Sequence, residues 1–295
     1  MPRNQTSGSL ALSSYEDIFT TGGENTSGEI IKQIPLSELH PPEFHPFQVN
    51  DDEAMTRLAE SVKEYGVREP GIARSRSDGG YELICGNRRK RACELAGIST
   101  MPIIIRELDD DSAVLVMVDS NLEQREKIFP SEKAQAFRMM MEALNHNGVK
   151  GENHSYEIMV ERTGESKNQI FRIIRLTELI ADLIDKVDAK QLAFNPAVEL
   201  SHLTVPQQTV VAEAMAAHEI KPSLSQAVRL KKMSQDGELT TAMIDEVLSE
   251  TKKPPKGEPT GTVRYRRFFP SNYSPKQIES VIIELLSDWK ARVVI

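Results

Sequence analysis

A change of pattern near residue 130 constrains the fold of this chain more than any other feature. Before it, short apolar runs bounded by glycine and proline alternate with helix-like stretches. After it, up to about residue 250, the apolar repeats have helical spacing. An α+β domain followed by an all-α domain satisfies both halves. With 295 residues and 39% hydrophobic content, the chain can bury two moderate cores.

In the first half, residues 31–34 read as a strand and residues 52–65 as a helix, with Met55, Leu58, Ala59 and Val62 on one face and Gly66 as its stop. Residues 71–76 and 81–85 read as strands joined by Ser77-Asp78-Gly79-Gly80, which has hairpin-turn chemistry. A helix over 87–96 ends at Gly97, a strand follows over 102–107, and a helix over 111–122 begins among acids that suit its N-terminus. The stretch Cys85-Gly86-Asn87-Arg88-Arg89-Lys90-Arg91-Ala92 falls where a strand gives way to a helix. Unpaired amides at a helix start, a glycine that admits close approach and several guanidinium forks make a phosphate cradle. A solvated basic turn flanking a core helix accounts for the same residues.

In the second half, Ser131 is a candidate cap for a helix that buries Ala134, Phe137, Met141 and Leu144 and ends at Asn145-His146-Asn147-Gly148. Residues 156–164 and 166–175 have the form helix, glycine turn, helix. Ser166 caps the second helix, Ile170, Ile173 and Ile174 face inward, and Lys167, Asn168, Gln169, Arg172 and Arg175 stay outside. Amides and guanidiniums read base edges and lysine meets phosphate, and no carboxylate follows Glu165 in this segment. An ordinary helical hairpin with a polar face has the same pattern. His202 and His218 stand apart from cysteines and paired carboxylates, as surface or core-edge residues do.

The expected organisation is a flexible arm over 1–29, an α+β domain over 30–125, a helical domain over 126–250, a linker over 251–262 and an association segment over 263–295. In the arm, Ser14-Tyr15-Glu16-Asp17-Ile18-Phe19 is either a segment that orders on a partner or an adhesive tail. The last segment reads as a strand over 263–269 and a helix opened by Ser274, Pro275 and Gln277, with Ile278, Val281, Ile282, Leu285 and Trp289 in helical register. It is too little to stand alone, so it packs on a second copy or back on the body.

Three ordered boxes carry a resemblance. Gly66-Val67-Arg68-Glu69-Pro70, then Gly86-Asn87-Arg88-Arg89-Lys90-Arg91-Ala92, then Ser120-Asn121-Leu122-Glu123-Gln124-Arg125 resemble the G-x-x-x-P, G-E-R-R-x-R-A and E-N-x-Q-R boxes of the ParB family of chromosome and plasmid partition proteins. The likeness covers roughly residues 30–250, with residues 156–175 at the place of that family's helix-turn-helix; Val160 stands where such turns often have alanine. The resemblance implies an α+β ParB-like N-terminal domain, an all-α helix-turn-helix domain and a small C-terminal strand-helix segment. It also implies a homodimer that binds a centromere-like site on double-stranded DNA in the cytoplasm, at the nucleoid, with CTP and Mg²⁺ as a clamp switch and slow CTP hydrolysis. A ParA-type ATPase is the partner expected at the arm.

By the same resemblance, Gly66 and Pro70 lie near the base pocket, and Gly86, Arg88, Arg89, Arg91 and Ala92 surround the triphosphate. Asn121 is the magnesium-side residue and Arg125 a further phosphate contact. Departures from the family pattern bear on hydrolysis: Ser120 replaces glutamate in the third box, Asn87 replaces glutamate in the second, and Glu123 is one extra residue. In an unbroken helix that insertion turns the following side chains by about 100°. Glu123 and Asp119 are the candidate substitute acids.

A regulator of transcription or nucleoid occlusion on the same scaffold, lacking a partition ATPase, is the second reading, and a kinase-like or sulfiredoxin-like nucleotide enzyme the third. The net charge of −8 argues against a chain that coats nucleic acid over its whole surface and leaves room for a local basic face. Two cysteines without a histidine cluster indicate neither a disulfide framework nor a zinc site. No apolar run approaches the roughly 18 residues of a membrane span, and no signal-peptide pattern opens the chain, so a soluble, unexported protein is expected.

Overall fold

The computed structural model describes residues 30–125, 127–146, 152–250, 268–270 and 272–293. The arm 1–29, the linker 251–262 and residues 263–267 of the expected C-terminal strand lie outside the described residues. Contacts divide the chain between Asp245 and Glu246 into two units.

The first unit begins with a five-stranded sheet. Its strands are β1 (Ile31–Pro35), β2 (Leu39–His40), β3 (Gly71–Ser75), β4 (Tyr81–Cys85) and β5 (Thr100–Ile105), in the order β1-β5-β3-β4-β2. The hairpin expected between residues 71 and 85 is present, with β3 antiparallel to β4 and a register shift between Ile72 and Ala73. Parallel pairing of β3 with β5, Gly71 opposite Ile103, places the start of β3 beside the middle of β5.

Helices α1 (Glu53–Tyr65), α2 (Asn87–Ala96) and α3 (Asp110–Gln124) complete the α+β domain. Carboxylates start two of them: Asp52 accepts from the Met55 amide at 2.8 Å and Asp109 from the Ser112 amide at 2.7 Å. Met55 and Val62 of α1, Ala92 and Cys93 of α2, and Ile34, Leu39, Ala73, Leu83, Met101 and Ile103 of the sheet form one core. Leu83, Ile84 and Cys85 are consecutive and all buried, so β4 is covered on both faces. On one of them the Cys85 thiol reaches the Val116 carbonyl of α3 at 3.6 Å.

Beyond α3 the described chain is helical: α4 (Pro130–His146), α5 (Glu152–Thr163), α6 (Lys167–Arg175), α7 (Ala181–Asp188), α8 (Phe194–Leu200), α9 (Val205–His218), α10 (Leu224–Gln235) and α11 (Thr241–Ser249). Helix α4 is the hub and packs against α3, α5, α6 and α7. Several neighbours widen its buried face to Ala134, Ala136, Phe137, Met140, Ala143 and Leu144, while Met141 is only half-buried. Ser131 is not its cap. Pro130 takes the first helical position, so Ser131 already lies inside the helix, and the Asp188 carboxylate of α7 accepts from both its amide, at 3.0 Å, and its hydroxyl.

In the second unit, α12 (Pro275–Val293) starts with the expected reciprocal cap: the Ser274 amide donates to Gln277 Oε1 at 2.8 Å and the Gln277 amide to Ser274 Oγ at 3.4 Å. Ile278 is buried, whereas Leu285 and Trp289 of the same register are exposed.

Candidate functional site

Strand β4 delivers the chain to Gly86, whose φ of 111° lies in the left-handed region, and α2 starts at once. No side chain caps that start, so the leading amides of α2 are open. A Cβ on Gly86 would sit 3.0 Å from Met101 Cε and 3.2 Å from Gly71 Cα, so this position is both backbone-strained and tightly packed for any other residue. Gly86→Ala is expected to lower stability by about 1–3 kcal/mol, read from urea unfolding, through the positive φ and the contact with Gly71. An unchanged midpoint would contradict that packing.

In front of this helix start lies a cavity of about 330 Å³. Gly86, Asn87, Arg88 and Arg89 form one wall and Ser120, Asn121, Gln124 and Arg125 the facing one. His45 comes from the segment before α1, and Ala54 and Leu58 from α1 itself. Three guanidiniums line it and no carboxylate does. In a chain of net charge −8 this is a local positive field enclosed by low-dielectric walls.

The three arginines are held differently. Arg88 has no hydrogen-bond or ion-pair partner among the described residues, so its charge is available to the cavity. Arg89 Nη1 donates to the carbonyls of Glu69, at 2.6 Å, and Pro70, at 2.7 Å, tying α2 to the turn before β3. Arg125 Nη2 donates to Gln48 O at 3.1 Å, its guanidinium lies 5.2 Å from the Phe47 ring centre, and Nη1 is 3.6 Å from the buried Glu132 carboxylate. Its side chain is only 10% exposed, and its Nε is buried without a partner. Burial pulls both Arg89 and Arg125 below the usual arginine range, which nearby Glu69 and Glu132 respectively oppose.

Of the residues expected around a triphosphate, Gly86, Arg88, Arg89, Asn121 and Arg125 meet in this cavity. Gly66 and Pro70 do not line it; Pro70 is linked to it through Arg89. Arg91 is turned away, paired with Asp51 at 2.6 Å and Glu94 at 3.0 Å. Ala92 is in the core. The reason is helical geometry: Arg88 and Arg89 lie in the first turn of α2, whereas Arg91 and Ala92 have rotated past the opening. Asn121 Nδ2 donates to Met117 O at 2.8 Å, which leaves its amide oxygen for another partner.

Despite the extra Glu123, Asn121, Gln124 and Arg125 line the cavity together: α3 runs unbroken to Gln124, Arg125 follows as its extended C-cap, and Glu123 is exposed. His45, Ala54 and Leu58 were not among the residues expected at the site. His45 belongs to a segment with no periodicity, and Ala54 and Leu58 read from sequence as ordinary helix positions.

The helical pair α5 and α6 is tied to both neighbouring helices. Arg162 of α5 pairs with Asp119 of α3, and Glu165 of the turn pairs with Lys133 of α4 at 2.6 Å. Ser166 caps α6, accepting from the Gln169 amide at 3.3 Å, and Ile170 and Ile173 are buried. Lys167 and Asn168 are exposed and Gln169 half-exposed, with the Lys167 ammonium 5.2 Å from the Tyr156 ring centre. Arg172 bonds to Asn195 and lies 5.2 Å from the Phe194 ring centre. Arg175 is not left outside: it is half-buried and donates to the Ser201 carbonyl at 2.9 Å. Phe171, which apolar patterning assigns to no role, is 53% exposed among these polar residues.

Residues 20–122 match a family described as the ParB N-terminal domain. This chain carries a ParB N-terminal domain. It is 29% identical over 198 residues to a probable chromosome-partitioning protein ParB of Neisseria meningitidis, covering 67% of this chain and 66% of that one. It is 28% identical over 217 residues to a nucleoid occlusion protein of Listeria monocytogenes, covering 74% and 72%. The chain thus spans about two thirds of the length of these curated relatives. A crystal structure of C-terminally truncated ParB from Caulobacter crescentus complexed with CTP-gamma-S is 24% identical, covering 63% of this chain and 98% of that one, with a TM-score of 0.31.

Within this ParB N-terminal domain neither candidate substitute acid reaches the cavity. Asp119 is buried against Arg162; burial pushes its carboxyl above the usual range and the Arg162 guanidinium pulls it back. Cys85, beside Gly86, is buried, and that burial pushes its thiol up, the opposite of a reactive thiolate. Among the described residues no three His, Cys, Asp or Glu side chains converge as a metal site, and Asp109 serves as a helix cap. No helix among them is long and apolar enough to cross a membrane.

Proposed function

We propose that this protein is a DNA-binding partition protein of ParB type that holds CTP with Mg²⁺ in the cavity before α2 and reads double-stranded DNA with α5 and α6 as a helix-turn-helix. The observation that carries the nucleotide reading is the charge imbalance of the cavity: three guanidiniums, open helix amides and no carboxylate. Arg125, on the opposite wall, is held by the Gln48 carbonyl and the Glu132 carboxylate. A triphosphate fits this donor set. Arg88 and the leading amides of α2 would bind phosphate oxygens, and Arg125 would neutralise them from the opposite wall. Asn121 offers a neutral oxygen, which suits a magnesium ion that arrives on phosphates and keeps much of its water. The bound nucleotide supplies a negative charge bridging α2 and the end of α3. Thermal unfolding of the full chain with CTP, GTP, ATP and UTP, each with Mg²⁺, tests the reading: a rise in midpoint greatest for CTP supports it, and no shift with any nucleotide refutes it.

For DNA, the exposed Lys167 and Asn168 at the start of α6 are the contacts favoured here, with Gln169 beside them and Arg172 and Arg175 braced by α8 and its flanks. Lys167→Ala is expected to weaken binding evenly across sequences and reduce the log–log salt slope by about 1. Asn168→Ala is expected to cost about 1–3 kcal/mol and relax preference at one base pair. Fluorescence anisotropy on a duplex selected from a random pool measures both; an unchanged salt slope for Lys167→Ala places it off the backbone.

The protein acts as a homodimer through α12, whose Leu285 and Trp289 are exposed in the single chain, and works at the nucleoid in the cytoplasm. A ParA-type ATPase engages the arm. Similarity to a nucleoid occlusion protein favours one alternative, a regulator on this scaffold without that ATPase. Stimulation of a partition ATPase by a peptide of residues 1–29 separates the two.

A further inference from the structure

His45 sits on the cavity wall with both ring nitrogens engaged. Nδ1 lies 2.7 Å from the Phe47 carbonyl and Nε2 lies 3.1 Å from Asn87 Nδ2. The carbonyl can only accept, so Nδ1 carries the hydrogen and Nε2 presents its lone pair to the Asn87 amide. The ring meets Phe47 edge-on with centroids 5.8 Å apart, so its plane is fixed. Of the residues lining the cavity, His45 is the one that changes charge between pH 5 and 8.

Its surroundings disfavour protonation while no anion is bound. Burial lowers its proton affinity first, and the Arg125 charge from the end of α3 lowers it further; the Phe47 carbonyl and Glu132 of α4 oppose them. From α2, Arg88 and Arg89 line the same cavity and Asn87 is neutral. A polyanion in the cavity reverses this balance. We infer that His45 is itself a ligand of the bound nucleotide phosphates, taking one proton from solvent on Nε2 as the anion enters. Nε2–H then donates to a phosphate oxygen in place of accepting from Asn87, whose freed amide donates to the same anion. This rests on the nucleotide reading.

The proton affinity is below the ordinary histidine value in the free protein and higher in the complex, so between the two pKa values binding takes up a proton and affinity increases as pH falls. The test is calorimetric titration of the full chain with CTP and Mg²⁺ in buffers of different ionisation enthalpy, for wild type and His45→Gln. The terminal phosphate titrates near pH 6 and releases a proton when bound ionised, the opposite sign. Wild type is expected to show proton uptake exceeding that of His45→Gln by up to one proton, and its Kd to rise by up to about tenfold per pH unit relative to the variant. CTP binding with equal proton uptake in both overturns the His45 assignment and leaves the nucleotide reading standing. If His45→Gln does not fold, His45→Asn takes its place, and wild-type uptake no greater than that variant's overturns the assignment equally. Absence of CTP binding by the wild type overturns the nucleotide reading and this inference with it.

Discussion

Glu132→Ala is expected to lower the unfolding free energy by about 3–5 kcal/mol, the range for removing one partner of a buried ion pair. Glu132 is 3% exposed. Its two oxygens accept from the Gln48 amide at 2.7 Å and the Phe129 amide at 3.1 Å, and it is the carboxylate facing Arg125 at 3.6 Å. Alanine leaves a buried guanidinium uncompensated and two backbone amides without partners, in the place where the α+β domain joins α4. Glu132→Gln keeps the shape and one accepting oxygen, so its loss is expected to be smaller, about 1–3 kcal/mol. Urea unfolding followed by circular dichroism ranks the two. A loss below about 1 kcal/mol for the alanine variant would show that water or a neighbour replaces the carboxylate, against the observed burial.

Arg88→Ala is expected to weaken CTP binding by about 10- to 100-fold, the loss of one or two charge-assisted hydrogen bonds to phosphate. Arg91→Ala, three residues away in the same basic stretch, is expected to leave affinity within about twofold, because a solvent-exposed ion pair contributes little and Arg91 spends its charge on Asp51 and Glu94. Arg88 is also the cleaner probe than Arg89. Arg89 holds the carbonyls of Glu69 and Pro70, so its removal loosens the turn before β3 as well as removing charge. Calorimetry with CTP and Mg²⁺ on both variants decides the contrast. Equal losses for Arg88→Ala and Arg91→Ala would mean that the stretch acts only through its summed field.

Much of the α+β domain is legible from sequence because its signals are local. The Ser77–Gly80 turn, the stops at Gly66 and Gly97 and the acids before α3 each act within a few residues, and the elements fall where those signals put them. Signals that depend on distant partners are not legible. Ser131 looks like a cap until Asp188, 57 residues on, is seen to occupy it. Arg175 looks exposed until Ser201 is seen beneath it.

The cavity divides in the same way. The glycine and two arginines at the start of α2 follow from a strand-to-helix transition that one stretch of sequence displays. Ala92 and Arg91 belong to the same box, yet helical rotation sends one into the core and the other to Asp51. The far wall depends on where α3 ends, since Asn121 and Gln124 of its last turn meet the C-cap Arg125 there. His45 reaches the site through an irregular segment held by Phe47 and Asn87, and no spacing rule marks it.

A crystal structure of the full chain grown with CTP and Mg²⁺ is expected to hold the triphosphate in the space before α2. Phosphate density is expected against the leading amides of α2, between the guanidiniums of Arg88 and Arg125, with the metal on the Asn121 side. Nucleotide bound elsewhere, or solvent alone in the cavity at millimolar CTP, would contradict it.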